Sequence, residues 1–264
     1  MKTLPDSFST WLAYIIRNSG RSMLRGAGNT IIIAFVGTLI GCLIGFFVGI
    51  IQTIPADRGD HPFKRYALAA ARLALNVYIE VFRGTPMMAQ AFFIHFGSAL
   101  VFNLNMTMWF TAFLVVSINT GAYMSETVRG GIMSIDPGQT EGAKAIGMTH
   151  FQTMRSVILP QALFNIMPQI GNNLIINIKD TCVLQAIGVV ELMYASRGAA
   201  GANYRYFETF TVTMAIYLAM TLFFSRLLRV VEKRMEGSKT YDLATKDTLA
   251  HTSGMHSYIG GKEK

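Results

Sequence analysis

The sequence is poor in charged residues, and the deficit is concentrated in a few long runs. Asp, Glu, Lys and Arg make up 14% of the 264 residues, whereas a soluble domain carries about 25%. Four runs contain none of these residue types: 26–56, 84–125, 156–178 and 209–225. Because a helix needs roughly 20 apolar residues to cross a bilayer, this pattern excludes a soluble protein and a protein with a single anchor. It predicts an all-α integral membrane protein.

Cysteine and catalytic motifs are also scarce. The two cysteines, Cys42 and Cys182, both lie in apolar stretches, and two are too few for a disulfide framework or a metal site. We therefore predict no metal site, and no Ser/His/Asp or Cys/His arrangement for catalysis is visible. The phosphate-binding pattern Gly-x-x-x-x-Gly-Lys-Ser/Thr is absent as well. We expect the chain to bind no cofactor and to catalyse no reaction itself.

The net charge of +8 has two interpretations. In a soluble protein it would suggest nucleic acid as a partner. In a membrane protein it indicates basic loops that face the cytoplasm and its anionic lipid surface. We therefore predict membrane lipid, and no nucleic acid, among the partners.

The apolar segments predict about five crossings and three regions. The crossings are expected at 30–54, from a start between 70 and 86 to 102, and at 107–129, 160–178 and 208–231. The regions are an amphipathic N-terminal segment at 1–25 that lies in the membrane interface, a transmembrane domain at 26–235, and a polar C-terminal tail at 236–264. In the first crossing, glycine recurs every fourth residue from Gly37 to Gly49. This stripe predicts the close approach of another helix.

Basic residues set the expected orientation. Lys and Arg are enriched in the loops at 55–66 and 129–158 and after residue 225, so the positive-inside rule places these regions in the cytoplasm. The N-terminus is then outside. The cations of the first 25 residues argue against that side, but three regions outweigh one.

The loop at 130–159 is too polar to span and contains two helix starts. Asp136 precedes Pro137, and Thr149 precedes Gln152 by three residues; both are N-terminal capping patterns. Gly147 separates the two helices. Order of this kind in a cytoplasmic loop predicts a docking element for a partner, and a re-entrant or surface helix pair without a partner is the alternative.

The same loop resembles the EAA motif of ABC importer permeases. The matching residues are Glu141, Ala143, Gly147, Leu159 and Pro160, at the spacing of that motif throughout. Two residues depart from the pattern. Gly142 replaces an alanine, at a cost of about 1 kcal/mol in helix propensity, and Val157 replaces an isoleucine.

Further segments resemble the polar amino acid subfamily of these permeases, over about residues 25–235. They are 78–86 with Gln90, 122–123, Glu126, 129–132, 138–139, 159–162, Asn172, 179–181 and 187–192. Cys182 stands where the family usually has serine.

The resemblance implies a type I permease of a bacterial inner membrane importer for polar amino acids. The coupling contacts would then be Glu141, Gly142, Ala143, Gly147 and Pro160. The implied partners are ATPase subunits that carry ATP and Mg, a second permease copy or paralogue, and an extracytoplasmic amino-acid-binding protein. The alternative is an ATP-independent secondary transporter or channel subunit.

Ionisable residues at membrane depth are the candidates for the substrate pathway. We expect a pocket at mid-membrane, built from the third to the fifth crossing, in which Glu126 or Glu191 meets the substrate ammonium. Its carboxylate would be met by backbone amides or by Asn172, Asn173 or Lys179. Two acids slightly favour a cationic amino acid. For each of these residues, a purely structural role is the alternative interpretation.

Other polar residues have simpler explanations. Glu80 and Arg83, three residues apart on a helix, would form an ion pair. Lys179 and Asp180 would be interfacial. The isolated His95 is expected to have a packing role.

Overall fold

The computed structural model describes residues 7–55 and 61–235, so the C-terminal tail at 236–264 lies outside the described residues. In these ranges the chain is helical and contains no strand. Nine α-helices follow in order: α1 (Phe8–Thr53), α2 (Pro62–Gly84), α3 (Met87–Phe102), α4 (Met108–Met133), α5 (Pro137–Ala145), α6 (His150–Thr153), α7 (Leu159–Asp180), α8 (Leu192–Asn203) and α9 (Tyr206–Met235). A π-helical turn (Met154–Ile158) joins α6 to α7, and a 3-10 helix (Thr181–Ile187) follows α7.

Helix α1 is longer than the sequence indicated. It has 46 residues, or about 69 Å at 1.5 Å per residue, and it starts at Ser7, which forms a capping box with Thr10. It passes without a break through residue 25, where we had placed the end of a separate interfacial segment. The helix continues because no proline interrupts it. Gly26 there makes a close contact, since an added Cβ would lie 2.8 Å from the Glu191 carbonyl oxygen.

The glycine stripe of α1 packs directly on α4, which confirms the predicted close approach. An added Cβ would lie 2.4 Å from Val116 at Gly37, 2.6 Å from Thr120 at Gly41, 2.4 Å from Met124 at Gly45 and 2.7 Å from Val128 at Gly49. The glycines of α1 and the residues that they contact on α4 both recur at every fourth position. This α1–α4 seam therefore runs along about three turns of each helix, with backbones closer than any larger residue would permit.

Helix α4 is the central element, packed by α1, α2, α3 and α7. Its buried face includes Thr111, Ser117, Thr120 and Ser125, polar groups that point at protein rather than at lipid. These polar residues lower the mean hydropathy of α4. For this reason α4 is not one of the helices that length and hydropathy alone identify as membrane spans. By length and composition, the described residues contain two such helices, α1 and α9, or four spans when two bent pairs are included. The count of five crossings stays a prediction.

The second predicted crossing is bent rather than straight. The chain bends by 113° between α2 and α3, at residues Gly84–Pro86. The Gln90 side chain spans the break and donates to the Phe82 and Thr85 carbonyl oxygens, each at 2.9 Å. Asn119 of α4 donates to the same Phe82 oxygen at 3.1 Å. Side chains thus satisfy the backbone groups that the break leaves free, as a membrane interior demands.

Replacing Gly45 by alanine tests the α1–α4 seam. Alanine raises helix propensity by about 1 kcal/mol, but the added methyl overlaps Met124, and overpacking costs about 1–3 kcal/mol. We expect Gly45→Ala to lower the midpoint of detergent-induced unfolding. Gly28→Ala on the same helix is the control, because an added Cβ there meets no atom within 4 Å. Equal stability of the two variants would contradict the close packing.

Candidate coupling and transport sites

Helix α5 is a short, well-capped helix in the loop at 130–159. The Asp136 carboxylate accepts a hydrogen bond from the Gly138 amide at 2.7 Å, and Pro137 occupies the first helical position. At the other end, the Gly147 amide donates to the Lys144 carbonyl at 2.9 Å and the Met148 amide to the Ala143 carbonyl at 3.0 Å. Gly147 has φ +83°. This is the Schellman end of a helix, in which glycine is strongly favoured.

Helix α6 starts at the second predicted cap. The Gln152 amide donates to Thr149 Oγ1 at 3.3 Å, while the Thr149 amide donates to Gln152 Oε1 at 2.8 Å. Both predicted helix starts are therefore confirmed. From His150 the chain remains helical through the π-helical turn into α7. The turn at Gly147 is thus joined to a long membrane helix without an intervening loop.

Pro160 lies where the π-helical turn passes into α7. A proline cannot donate a backbone hydrogen bond and its ring crowds the preceding turn. The Leu159 amide accordingly donates to the Met154 carbonyl, five residues back. π-Helical turns of this kind are frequent at functional sites.

The predicted coupling residues divide between two sides of α5. Ala143 is buried, with 6% of its surface exposed, whereas Glu141, Gly142 and Gly147 are exposed. Two large apolar side chains flank them, Ile146 at 80% and Phe151 at 70% exposure. We name Glu141, Ile146, Gly147 and Phe151 the coupling surface. The sequence analysis missed Ile146 and Phe151, although apolar residues on both sides of a glycine turn in a polar loop are a usable signal.

A buried polar network ties α7 to the α1–α4 seam. Asn177 Nδ2 donates to Thr38 Oγ1 of α1 at 2.8 Å and to Thr120 Oγ1 of α4 at 2.9 Å. One turn earlier, Asn173 is also buried, and its Nδ2 donates to the Gln169 carbonyl at 3.0 Å and to Met124 Sδ at 3.2 Å. Asn177 was not predicted, although it stands four residues after Asn173 in an apolar run.

Glu126 forms ion pairs that the sequence did not reveal. Its carboxylate lies 2.9 Å from Arg83 Nη1 of α2 and 3.5 Å from Arg129 Nη2. Arg83 therefore forms its ion pair with Glu126, and the predicted ion pair between Glu80 and Arg83 is wrong. Between residues 61 and 235, and in 7–55, Glu80 has no ion-pair partner.

A polar cavity of about 380 Å³ lies beside these ion pairs. Its lining comes from the end of α1, the middle and later part of α2 and the later part of α4: Gln52, Arg72, Asn76, Glu80, Glu126 and Arg129. The Gln52 amide donates to Asn76 Oδ1 at 2.9 Å across it. Two guanidinium groups and two carboxylates thus face one another, and the lining carries no net charge.

Glu191 occupies a different environment. It is fully buried and caps α8, accepting from the Met193 amide at 2.8 Å and the Tyr194 amide at 2.6 Å. The Tyr217 hydroxyl donates to the same carboxylate at 3.1 Å. These contacts support a structural role for Glu191, as a helix cap, over a role in the substrate pathway.

The structure does not bring the two acids into one pocket. Glu191 packs beside Gly26, whereas Ser125, next to Glu126, packs beside Gly45. The two glycines are separated by about 30 Å along α1 at 1.5 Å per residue. The expectation of a single pocket with both acids in one chain is therefore wrong.

The remaining candidates lie on α7 and α3. Asn172 and Lys179 are exposed and seven residues apart, so they share a face of α7. Asp180, the last residue of that helix, is exposed too. His95 forms a hydrogen bond with Thr111 at 3.0 Å, in agreement with a packing role. No cluster of three or more His, Cys, Asp or Glu side chains suited to a metal occurs in the described ranges.

These features define a helical membrane protein with an ordered polar loop. The family of binding-protein-dependent transport system inner membrane components matches residues 63–237. The glutamine transport system permease protein GlnP of Escherichia coli K12 is 36% identical over 215 residues, which cover 81% of this chain and 93% of that protein. A putative GlnP of Rickettsia bellii is 30% identical over 222 residues, which cover 84% of this chain and 97% of that protein.

Solved structures agree with the family. The crystal structure of an amino acid ABC transporter with histidines superposes with a TM-score of 0.74 at 33% identity, covering 88% of this chain and all of that one. An inward-facing structure of the methionine ABC transporter MetNI gives a TM-score of 0.65 at 17% identity and covers 81% and 95% of the two chains, a likeness of fold. This chain belongs to the binding-protein-dependent permease family. It has the type I importer fold and is the membrane permease subunit of an ABC importer.

Replacing Asn177 by leucine tests the polar network. The change removes two interhelical hydrogen bonds, each worth about 0.6 kcal/mol inside a membrane. We expect a loss of roughly 1 kcal/mol in unfolding free energy, measured by detergent-induced unfolding. Asn172→Leu is the matched control on the same helix, since Asn172 is exposed. A loss of the same size in both variants would show that the network does not join the helices.

Proposed function

We propose that this chain moves polar amino acids into a bacterial cell, and that ATP hydrolysis by a separate partner drives the transport. The observation that carries the proposal is the capped helix α5, whose glycine turn carries the exposed coupling surface. An ATP-independent transporter or channel has no use for such an element, and the family does not favour that alternative.

The coupling surface suits a cleft in an ATPase subunit. Ile146 and Phe151 offer apolar area, and Glu141 offers a charge that fixes orientation. ATP and Mg would bind between two ATPase subunits, whose closure draws the coupling helices of two permease chains together. Because α6, the π-helical turn and α7 form one helical path, movement of the Gly147 turn reaches Asn177 and the seam. The outcome is alternating access from an inward-open to an outward-open state.

The complete importer needs further chains. We propose a second permease copy or a paralogue and an extracytoplasmic amino-acid-binding protein as the other partners. The inner membrane is the location named in the family description. The basic residues at 55–66, 129–158 and after residue 225 support a cytoplasmic C-terminus.

The polar cavity supports a substrate without net charge. The preference for a cationic amino acid assumed two acids that are free to bind the substrate. Glu126 instead pairs with Arg83 and Arg129, whereas Glu191 caps a helix, so this preference has no basis. A zwitterion with a neutral polar side chain matches a lining of two cations and two carboxylates. We therefore propose glutamine-like substrates, in line with the similarity to the glutamine transport system permeases. Among the other pathway candidates, Asn172 and Lys179 remain a proposal for the carboxylate.

Variants at Gly147 test the coupling role. A β-branched residue in the left-handed region costs about 1–2 kcal/mol or more, so Gly147→Val should distort the turn and abolish uptake while the chain still inserts. Gly147→Asn is the matched variant, since asparagine tolerates this backbone region. It should retain most of the activity. The measurement is ATP-dependent uptake by the reconstituted importer.

Glu141→Lys complements these variants, because it reverses a charge on the coupling surface without changing the backbone. We expect loss of uptake together with ATP hydrolysis that no longer responds to substrate. Normal transport by both Gly147→Val and Glu141→Lys would exclude this loop as the coupling element.

Glu126→Gln tests the cavity. The change leaves Arg83 and Arg129 without their carboxylate, so the cavity gains positive charge. Uptake of arginine or lysine should then fall by about tenfold or more relative to glutamine, in competition assays with all partners present. Glu191→Gln is the control and should change stability but not this ratio. An unchanged ratio in Glu126→Gln would remove Glu126 from the pathway.

A further inference from the structure

An open groove of about 910 Å³ lies between the first half of α1 and α9, away from the coupling surface and the polar cavity. Its walls are largely apolar: Leu12, Ile16 and Leu24 from α1, and Val212, Ala215 and Ile216 from α9. Arg21 and Arg25 line the same groove. Because they are four residues apart on a helix, their side chains are neighbours.

The two arginines have no counter-charge among the residues that the structure describes. Residues 7–55 contain no Asp or Glu. On α9, the nearby Glu208 pairs with Arg205 at 3.5 Å. Within 7–55 and 61–235, neither Arg21 nor Arg25 forms an ion pair. Two adjacent cations beside an apolar groove in a membrane protein therefore call for an anionic ligand with an apolar body.

We propose that this groove binds a phospholipid with an anionic headgroup. Arg21 and Arg25 bind the phosphate, for which the guanidinium group has a matching bidentate geometry, and an acyl chain lies against Ile16, Leu24 and Ile216. Arginine can keep its charged end at headgroup level while its stem lies along apolar surface. A lipid fits better than a second copy of this chain, because the chain carries 23 basic against 15 acidic residues.

Native mass spectrometry of the full chain in detergent tests the proposal. The delipidated protein is titrated with dioleoylphosphatidylglycerol and with dioleoylphosphatidylcholine. We expect the phosphatidylglycerol complex to be the tighter one, and Arg21→Gln/Arg25→Gln to weaken it about tenfold or more. Arg17→Gln is the matched control. Arg17 is exposed on the same helix, one turn earlier, and does not line the groove.

A second variant keeps the charges and fills the groove. Ala215→Trp should weaken phosphatidylglycerol binding while Arg21 and Arg25 remain. Equal affinity for phosphatidylglycerol and phosphatidylcholine would overturn the proposal. So would a loss of affinity in Arg17→Gln as large as that in the double variant. Unchanged phosphatidylglycerol affinity in Ala215→Trp would overturn it as well. A disulfide between one copy that carries Gly20→Cys and another that carries Ala215→Cys would also overturn the proposal, because a second copy would then occupy the groove.

Discussion

The close contact between α1 and α4 is the constraint on which the other features depend. Four glycines at four-residue spacing bring the two backbones together at Val116, Thr120, Met124 and Val128. Only in this arrangement do Thr38 and Thr120 lie near enough to share one side chain of α7, namely Asn177. Apolar attraction alone gives little specificity in lipid, so small residues and buried hydrogen bonds define which helices meet.

The proposed coupling element is built on this frame by local backbone chemistry. Gly147 supplies the left-handed turn, Asp136 and Thr149 cap the two helices on either side, and Pro160 accompanies the π-helical turn that leads into α7. In the proposed mechanism, a displacement of the coupling surface acts on a helix that is already bound to the seam. The exposed apolar side chains Ile146 and Phe151 have no partner inside the described part of the chain, which is the expected state of a docking surface before its partner binds.

Much of this could be predicted from the sequence, because it is local. The caps at Asp136 and Thr149, the Gly147 turn, the break before Met87 and the glycine stripe all follow from residue chemistry within a few positions. Long-range pairing does not. The ion pair of Arg83 with Glu126 joins residues 43 positions apart, and nothing in the local pattern distinguishes it from the expected Glu80 pair. Likewise, Glu191 follows glycine and valine residues typical of a span, yet its position at the start of α8 makes it a helix cap.

The central claim is that the coupling surface binds a separate ATPase on the cytoplasmic side. The most direct measurement is site-specific photo-crosslinking in cells that contain the whole importer, with the crosslinker at Ile146. The comparison site is Tyr204, which is 85% exposed in the turn between α8 and α9, at the opposite end of the helices. The account predicts an ATPase adduct from Ile146 and none from Tyr204. An ATPase adduct from Tyr204, or its absence from Ile146, would contradict it.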